Sequence, residues 1–269
     1  MKMTLMVEDF SSKLCYKVFH INESNQEIST KVRNTCVKKI NKVLQNVDIL
    51  DTPTVNIKTD NEVVEFLKNN PEFKLDGKGW DPNLSQRIYK TTQFKKENQQ
   101  GWQYGPLGIW ASNYTAWKNF VESDYEYALF MEDDLYIEND FLELATKYIN
   151  QLPADWEIFH MYAPQPPTRK AFAVGEDVSL PYQCWSLACY FITKEAAKKL
   201  LAEIAEENFS IYLPVDWHFF RRQDILTNMY TVRPFSNKGC RLTNVFSTYF
   251  YMQTPFDMTS LVEKAKNET

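Results

Sequence analysis

Tyr127-Ala128-Leu129-Phe130-Met131 runs without a break into Glu132-Asp133-Asp134, and the fold turns on how this stretch is read. The apolar run is short, uncharged and rich in aromatics, which predicts a buried strand rather than a helix. Acids at the end of such a strand stand where an open α/β sheet keeps its ligands, outside the carboxyl ends of its strands. In an extended chain Glu132 and Asp134 point the same way, with Cα atoms roughly 7 Å apart. Asp133 points to the other face. Like charges this crowded repel by about 4 kcal/mol at about 4 Å, for an effective dielectric near 20. A divalent cation relieves that repulsion, and carboxylate oxygens suit Mg2+ or Mn2+ that also binds substrate phosphates. The alternative is an acidic turn leading into the next helix, and position alone does not decide between the two.

Working outward, residues 14–22 alternate well enough for a first strand ending at Asn22. A helix then carries Cys36, Val37, Ile40, Val43, Leu44 and Val47 on one stripe. Residues 54–59 read as a second strand. Residues 60–69 read as a second helix, with Val63, Val64, Phe66 and Leu67 inward and Pro71 closing it. Strand, helix, strand, helix argues for a parallel sheet. Residues 71–104 lack periodicity and predict a long surface excursion of a kind usually tied to function. A helix over 112–122 follows, with Ser112 as its N-cap. Beyond the acids, Asp140 and Glu143 resemble a capping box, opening a helix whose face is Phe141, Leu144, Ala145, Tyr148 and Leu152. Further strands are expected at 156–162, 186–193 and 230–235, with a helix over 194–207. A Pro-rich loop, Pro164 to Pro167, closes the first of these strands. No repeat or linker divides the chain, so one domain over 1–260 is expected, with a frayed tail over 261–269.

At 269 residues with 44% hydrophobic content, the chain is long enough for a sizeable core. The formal charge of −5 and scattered basic residues argue against a nucleic-acid partner. No stretch is apolar enough to span a bilayer, and no secretory signal is visible, so a cytoplasmic location is expected. Five cysteines without CxxC spacing fit neither a disulfide framework nor a zinc site.

A resemblance emerges from Gly105-Pro-Leu-Gly-Ile-Trp-Ala-Ser-Asn113, Trp117, and the Tyr127 to Leu135 stretch. Together they look like glycosyltransferase family 25, which includes lipooligosaccharide galactosyltransferases and procollagen galactosyltransferases. That family has a Gly-x-x-Gly turn, a Ser-His pair opening a helix, a Trp, and an apolar strand ending in Glu-Asp-Asp. Val18 to Asn22, Trp156 to Phe159, Cys189 to Thr193 and Leu213-Pro-Val-Asp-Trp217 resemble further segments in order. The similarity touches about residues 16–235, most closely 105–217. Three departures stand out: Asn113 replaces the family's His, Pro106 replaces a Glu, and the Arg-rich segment after the first strand is missing.

The resemblance implies an α/β protein of GT-A fold, a Rossmann-like mixed sheet flanked by helices that binds a nucleotide-sugar donor and Mn2+ or Mg2+. A metal there neutralises charge developing on the departing diphosphate. Asp134 would hold the metal directly and Glu132 would reach the donor ribose or a metal-bound water, with Asp133 serving the donor sugar or the fold. Asp216 would be the general base of an inverting transfer; an Asp following a Pro at a helix start is equally a helix cap. His218 would complete a metal site, or is packed among its aromatic neighbours. His160, inside an apolar strand, reads as a satisfied core histidine. His20 and Asn22 end the first strand and Thr59 and Asp60 the second, where donor contacts and turn or cap roles compete. Arg221, Arg222, Lys238 and Arg241 are candidates for the diphosphate. Among Trp80, Trp102, Trp110, Tyr182 and Trp185, the sugar platform is assigned first to Trp185, with Tyr182 beside it.

The implied activity is transfer of a hexose from a nucleotide-diphosphate sugar, UDP first, to a glycan acceptor. Residues 71–104 and 164–183 would frame the acceptor cleft. The rivals are a metal-dependent nucleotidyltransferase, for which no Gly-rich or Lys-containing phosphate signature is present, and a non-catalytic carbohydrate-binding module, which would ignore nucleotides.

Overall fold

The computed structural model describes residues 5–20, 27–75, 104–162, 173–180, 187–211, 215–221, 228–232 and 240–242. Among these, seven strands form one mixed sheet in the order β2-β1-β3-β7-β5-β8-β6. They are β1 (Leu14–Phe19), β2 (Asp48–Ile49), β3 (Tyr127–Glu132), β5 (Ile158–His160), β6 (Val178–Ser179), β7 (Cys189–Thr193) and β8 (Met229–Val232). A second, two-stranded sheet pairs β4 (Leu135–Ile137) with β9 (Cys240–Leu242). β1 runs parallel to both β2 and β3, and β5 to β8, whereas β7 is antiparallel to both β3 and β5. This is the α/β mixed sheet flanked by helices that the resemblance implied.

Strands β3 and β7 are buried on both faces, so their sequences read as nearly continuous apolar runs. One face carries Phe130, Tyr190 and Ile192 against α4 (Tyr104–Glu122), α6 (Lys194–Ala205) and α7 (Val215–Arg221), through Trp110, Trp117, Phe120, Leu200 and Phe219. The other carries Leu129, Met131, Phe159 and Phe191 against α1 (Val7–Ser11), α2 (Glu27–Val43) and α5 (Phe141–Ile149), through Phe10, Ile40, Leu44, Phe141 and Tyr148. Burying each such side chain stabilises the fold by about 1.5–3 kcal/mol. Cys15, Cys36 and Cys189 lie buried as thiols, and burial pushes the Cys15 thiol up to about 12, far from reactive.

Several expectations are corrected here. The second strand is Asp48–Ile49, not 54–59. That later segment lies against α4 instead: the Ser112 hydroxyl accepts from the Val55 N–H at 2.9 Å and donates to the Val55 carbonyl at 3.2 Å. Gly108 permits this approach, because a Cβ there would stand 3.3 Å from the Val55 carbonyl oxygen. Helix α4 accordingly begins at Tyr104, and Ser112 is an interior residue tying it to the 54–59 segment rather than an N-cap. Helix α3 (Asp60–Asn69) is capped by Thr59, whose side chain accepts from the Glu62 N–H, while the Glu62 carboxylate accepts from Lys58 N–H at 2.7 Å. The Asp140 side chain makes no capping hydrogen bond. β4, β6 and β9 are two or three residues long, too short to produce a period that sequence reading can detect. The expected 261–269 tail and Pro164–Pro167 loop, and the 71–104 excursion beyond Leu75 and short of Tyr104, lie outside the described residues.

The strand registers align Ser179 with Thr231, Thr231 with His160, and His160 with Tyr190, a polar row across the buried sheet. His160 is core as expected but not satisfied: neither ring nitrogen has a hydrogen-bond partner among the described residues. Burial drives its pKa down to about 3, so the folded protein keeps it neutral. The unfolded chain takes up that proton below pH 6.5, the ordinary histidine value. Its contribution to stability is therefore complete above that value and lost as pH falls toward 3. Between pH 7 and 5, wild type is expected to lose about 2 kcal/mol more unfolding free energy than His160→Leu. Urea titrations at the two pH values measure this; equal losses would refute it.

Candidate functional site

β3 ends at Glu132, and its last rung to β1 is the Asp133 N–H donating to the Phe19 carbonyl at 3.1 Å. Asp133 and Asp134 then form the turn into β4. The two-apart alternation expected for Glu132 and Asp134 therefore gives way to a turn that gathers all three acids at the strand tip. α2 flanks this tip from one face of the sheet and α7 from the other. Buried Val32, Cys36 and Ile40 anchor α2 at four-residue spacing, which sets Arg33 on the flank of the stripe. The Arg33 guanidinium binds the Asp133 carboxylate through one nitrogen and lies 3.7 Å from Asp134 Oδ2 through the other. His20, at the end of β1, places Nδ1 at 3.7 Å from the second Asp133 oxygen. From the other face, Val215 and Phe219 bury α7 in the core and leave Asp216 in its first turn.

The electrostatics report how tightly these groups meet. Burial pushes the Glu132 carboxyl up to about 8; Asp134, then Asp133, then Asp216 add to the rise, and Arg33 opposes it. Burial is the larger cause of that rise, and the neighbouring acids add to it. Asp216 lies more than eighty residues along the chain from the acidic strand, and the fold brings its charge to bear on Glu132. Among the described residues, no three His, Cys, Asp or Glu side chains converge as a closed metal cage. The donor set nevertheless fits Mg2+ or Mn2+, which commonly take one or two carboxylates and complete their shell with water and substrate phosphates. Glu132 and Asp134 offer such oxygens, while Asp133 is engaged by Arg33.

His218 is placed elsewhere. Its Nε2 lies 3.0 Å from Glu203 Oε2 of α6, and its ring packs on Trp110 and Phe209. That geometry makes it a buried link between α6 and α7 rather than part of the acidic tip. Thr59 is spent as the cap described above, and Asp60 opens α3 without ending a strand. Trp110 is core, edge-on to Phe73 and Trp117. Asn22, Tyr182, Trp185, Trp80, Trp102, Arg222 and Lys238, and the side chains of Asp60, Arg221 and Arg241, lie outside the described residues.

Arg33 escaped the sequence reading, and Asn113 entered it only as a departure from the family's His. Arg33 was hidden because the stripe was started at Cys36; one turn further back, Val32 continues it and exposes a lone arginine beside it. Asn113 has a structural explanation: its Oδ1 accepts from the Tyr190 hydroxyl at 2.6 Å, and that hydroxyl accepts from Trp117 Nε1 at 3.0 Å. All three are buried and tie α4 to β7 beneath the acidic tip. Asn113→Leu leaves the Tyr190 O–H without its acceptor and is expected to cost about 1–3 kcal/mol. In a denaturant titration, Tyr190→Phe should cost less in the Asn113→Leu background than alone, because the bond between the two is already gone. Full additivity of the two would contradict the pairing.

A cleft of about 540 Å3 opens at the other end of β3, lined by Tyr125, Tyr127, Trp156, Lys194 and Lys199 among others. Lys199 pairs with Glu157, and Lys194 donates to the Ser123 carbonyl. None of the acids at the tip lines it.

Comparison with known proteins places this arrangement. Residues 24–218 match the model of glycosyltransferase family 25, described as LPS biosynthesis protein. The chain belongs to glycosyltransferase family 25. Procollagen galactosyltransferase 2 of Homo sapiens is 30% identical over 119 residues, which is 42% of this chain and 18% of that protein. The Mus musculus protein of the same name is 29% identical over the same length. The chain thus matches less than a fifth of these curated relatives' length. Among solved structures, a glycosyltransferase involved in glycosylating the major capsid of PBCV-1 aligns with a TM-score of 0.40 at 9% identity. It covers 94% of this chain and 98% of that one. A Drosophila β-1,4-galactosyltransferase 7 in complex with manganese, UDP-Gal and xylobiose aligns at 0.34 and 11%, covering 93% and 78%. Scores this low transfer neither residues nor ligands to the family 25 chain.

Proposed function

We propose that this family 25 chain is a divalent-cation-dependent, inverting glycosyltransferase that moves a hexose from a UDP-sugar to a glycan acceptor. The observation that carries the reading is the crowding at the β3 tip, where burial and three neighbouring acids push Glu132 up to about 8. A site built to hold surplus negative charge is suited to a cation bridging protein and phosphates. Galactose is the first donor sugar to try, since the relatives matched over 42% of the chain are named galactosyltransferases.

In this reading Asp134 and Glu132 hold Mn2+ or Mg2+, and the bound cation supplies charge stabilisation to the departing diphosphate. Asp216 approaches from the opposite face of the sheet. Its carboxylate takes the proton of the acceptor hydroxyl as that oxygen attacks the anomeric carbon and the diphosphate leaves on the far side. Asp133, gripped by Arg33, fixes the turn so that its neighbours keep their positions.

The test is thermal shift. UDP at 100 times its Kd, with Mn2+ present, would stabilise the folded state by about 2.7 kcal/mol and raise the melting temperature by several degrees. EDTA would remove the shift. A protein that responds to free glycans and ignores UDP with Mn2+ is a lectin instead.

A further inference from the structure

Arg33 is the one cation whose contacts at the tip span both turn acids among the described residues, bound to Asp133 and 3.7 Å from Asp134 Oδ2. Its side chain is 16% exposed, so it is largely withdrawn from water, as are Asp133 at 5% and Asp134 at 19%. A guanidinium is a fixed positive charge that cannot be titrated away, and its planar fork suits two neighbouring carboxylates. It therefore supplies, from within the chain, part of the neutralisation that a divalent cation would bring. The helix that carries it is pinned by Val32, Cys36 and Ile40, each fully buried, so the charge sits close to the acids whether or not anything else is bound.

We propose that Arg33 is a built-in counter-ion that competes with the divalent cation for the acidic turn: it holds Asp133 and Asp134 in place in the metal-free protein and weakens metal binding until the donor's phosphates arrive. This inference rests on the proposed metal-dependent reading and adds a coupling to it. Once a diphosphate is present, its oxygens give the guanidinium an alternative partner, and the penalty Arg33 imposes on the metal is relieved. Metal and nucleotide then bind as a pair, each favouring the other. Arg33 is a positioning residue in this scheme, acting on the carboxylates rather than on the reacting atoms.

The experiment is a Mn2+ titration of the nucleotide-free protein, followed by electron paramagnetic resonance of free Mn2+, on wild type, Arg33→Met and Arg33→Lys. Arg33→Met is expected to bind Mn2+ roughly tenfold more tightly than wild type, the scale of one charge-assisted contact. Without metal it should melt lower than wild type, and Mn2+ alone should restore it. Arg33→Lys, which keeps the charge but not the fork, should fall between the two in both measurements and guards against misfolding of the Met variant. Repeating the titration with UDP should tighten Mn2+ binding more in wild type than in Arg33→Met. Mn2+ binding by wild type that is matched or weakened in both variants would overturn the counter-ion role and leave the metal-dependent reading standing. Absence of Mn2+ binding by all three proteins, with and without UDP, would overturn both.

Discussion

Asp134→Ala is expected to weaken Mn2+-dependent binding of a UDP-sugar by roughly a hundredfold, the scale of deleting one partner of a close charge pair. The same substitution should leave the metal-free protein as stable as wild type, or slightly more so. The sign follows from the site. Asp134 is the largest charged contributor to the rise of Glu132, so deleting it relieves repulsion as well as removing a ligand. Its 3.7 Å approach to Arg33 is lost, while Arg33 keeps its bond to Asp133. A folding defect would lower stability with and without metal; loss of a ligand lowers only the metal-dependent part. Calorimetric titration of the donor with and without Mn2+, beside a denaturant curve, separates the two. Unchanged donor affinity in the variant would remove Asp134 from the metal's shell.

Asp216→Asn is expected to bind the donor normally and to lose turnover by roughly 10²–10⁴-fold, the usual contribution of a general base. The amide keeps the size of the side chain and its place in the first turn of α7, so the packing of Val215 and Phe219 is preserved. Steady-state kinetics should show the fall in kcat with the donor KM unchanged, and the acidic limb of the pH–rate profile should disappear. Removing this charge also takes away one cause of the Glu132 rise, so the Glu132 carboxyl should titrate at lower pH in the variant. A normal kcat together with a lowered Glu132 would keep Asp216 in the site and retire it as the base.

Much of this was legible in the chain, for physical reasons that differ by element. β3 and β7 announced themselves because strands buried on both faces carry unbroken apolar runs. α5 and α6 showed their faces through helical spacing. The 54–59 segment misled because its alternating Val55 and Ile57 suit a strand, yet its backbone is claimed by Ser112 of α4, a tertiary contact with no local signature. β2, a two-residue edge, has too little sequence to carry a pattern. At the site, the acids stood out because three in a row directly follow an apolar run. Their flanking partners did not: Arg33 lies a hundred residues from Asp133, and nothing local ties it there. His218 was read as packed or metal-binding, and its partner Glu203 of α6 has no local signature. Long-range pairing decided each of these, and a single sequence does not record it.

The most direct measurement is the anomalous scattering of Mn2+ in crystals of the protein grown with UDP. The account predicts one strong peak at the turn after β3, in contact with Asp134 and with the phosphates of the nucleotide. Nucleotide density elsewhere on the molecule, with Glu132, Asp133 and Asp134 contacting only protein groups, would contradict it.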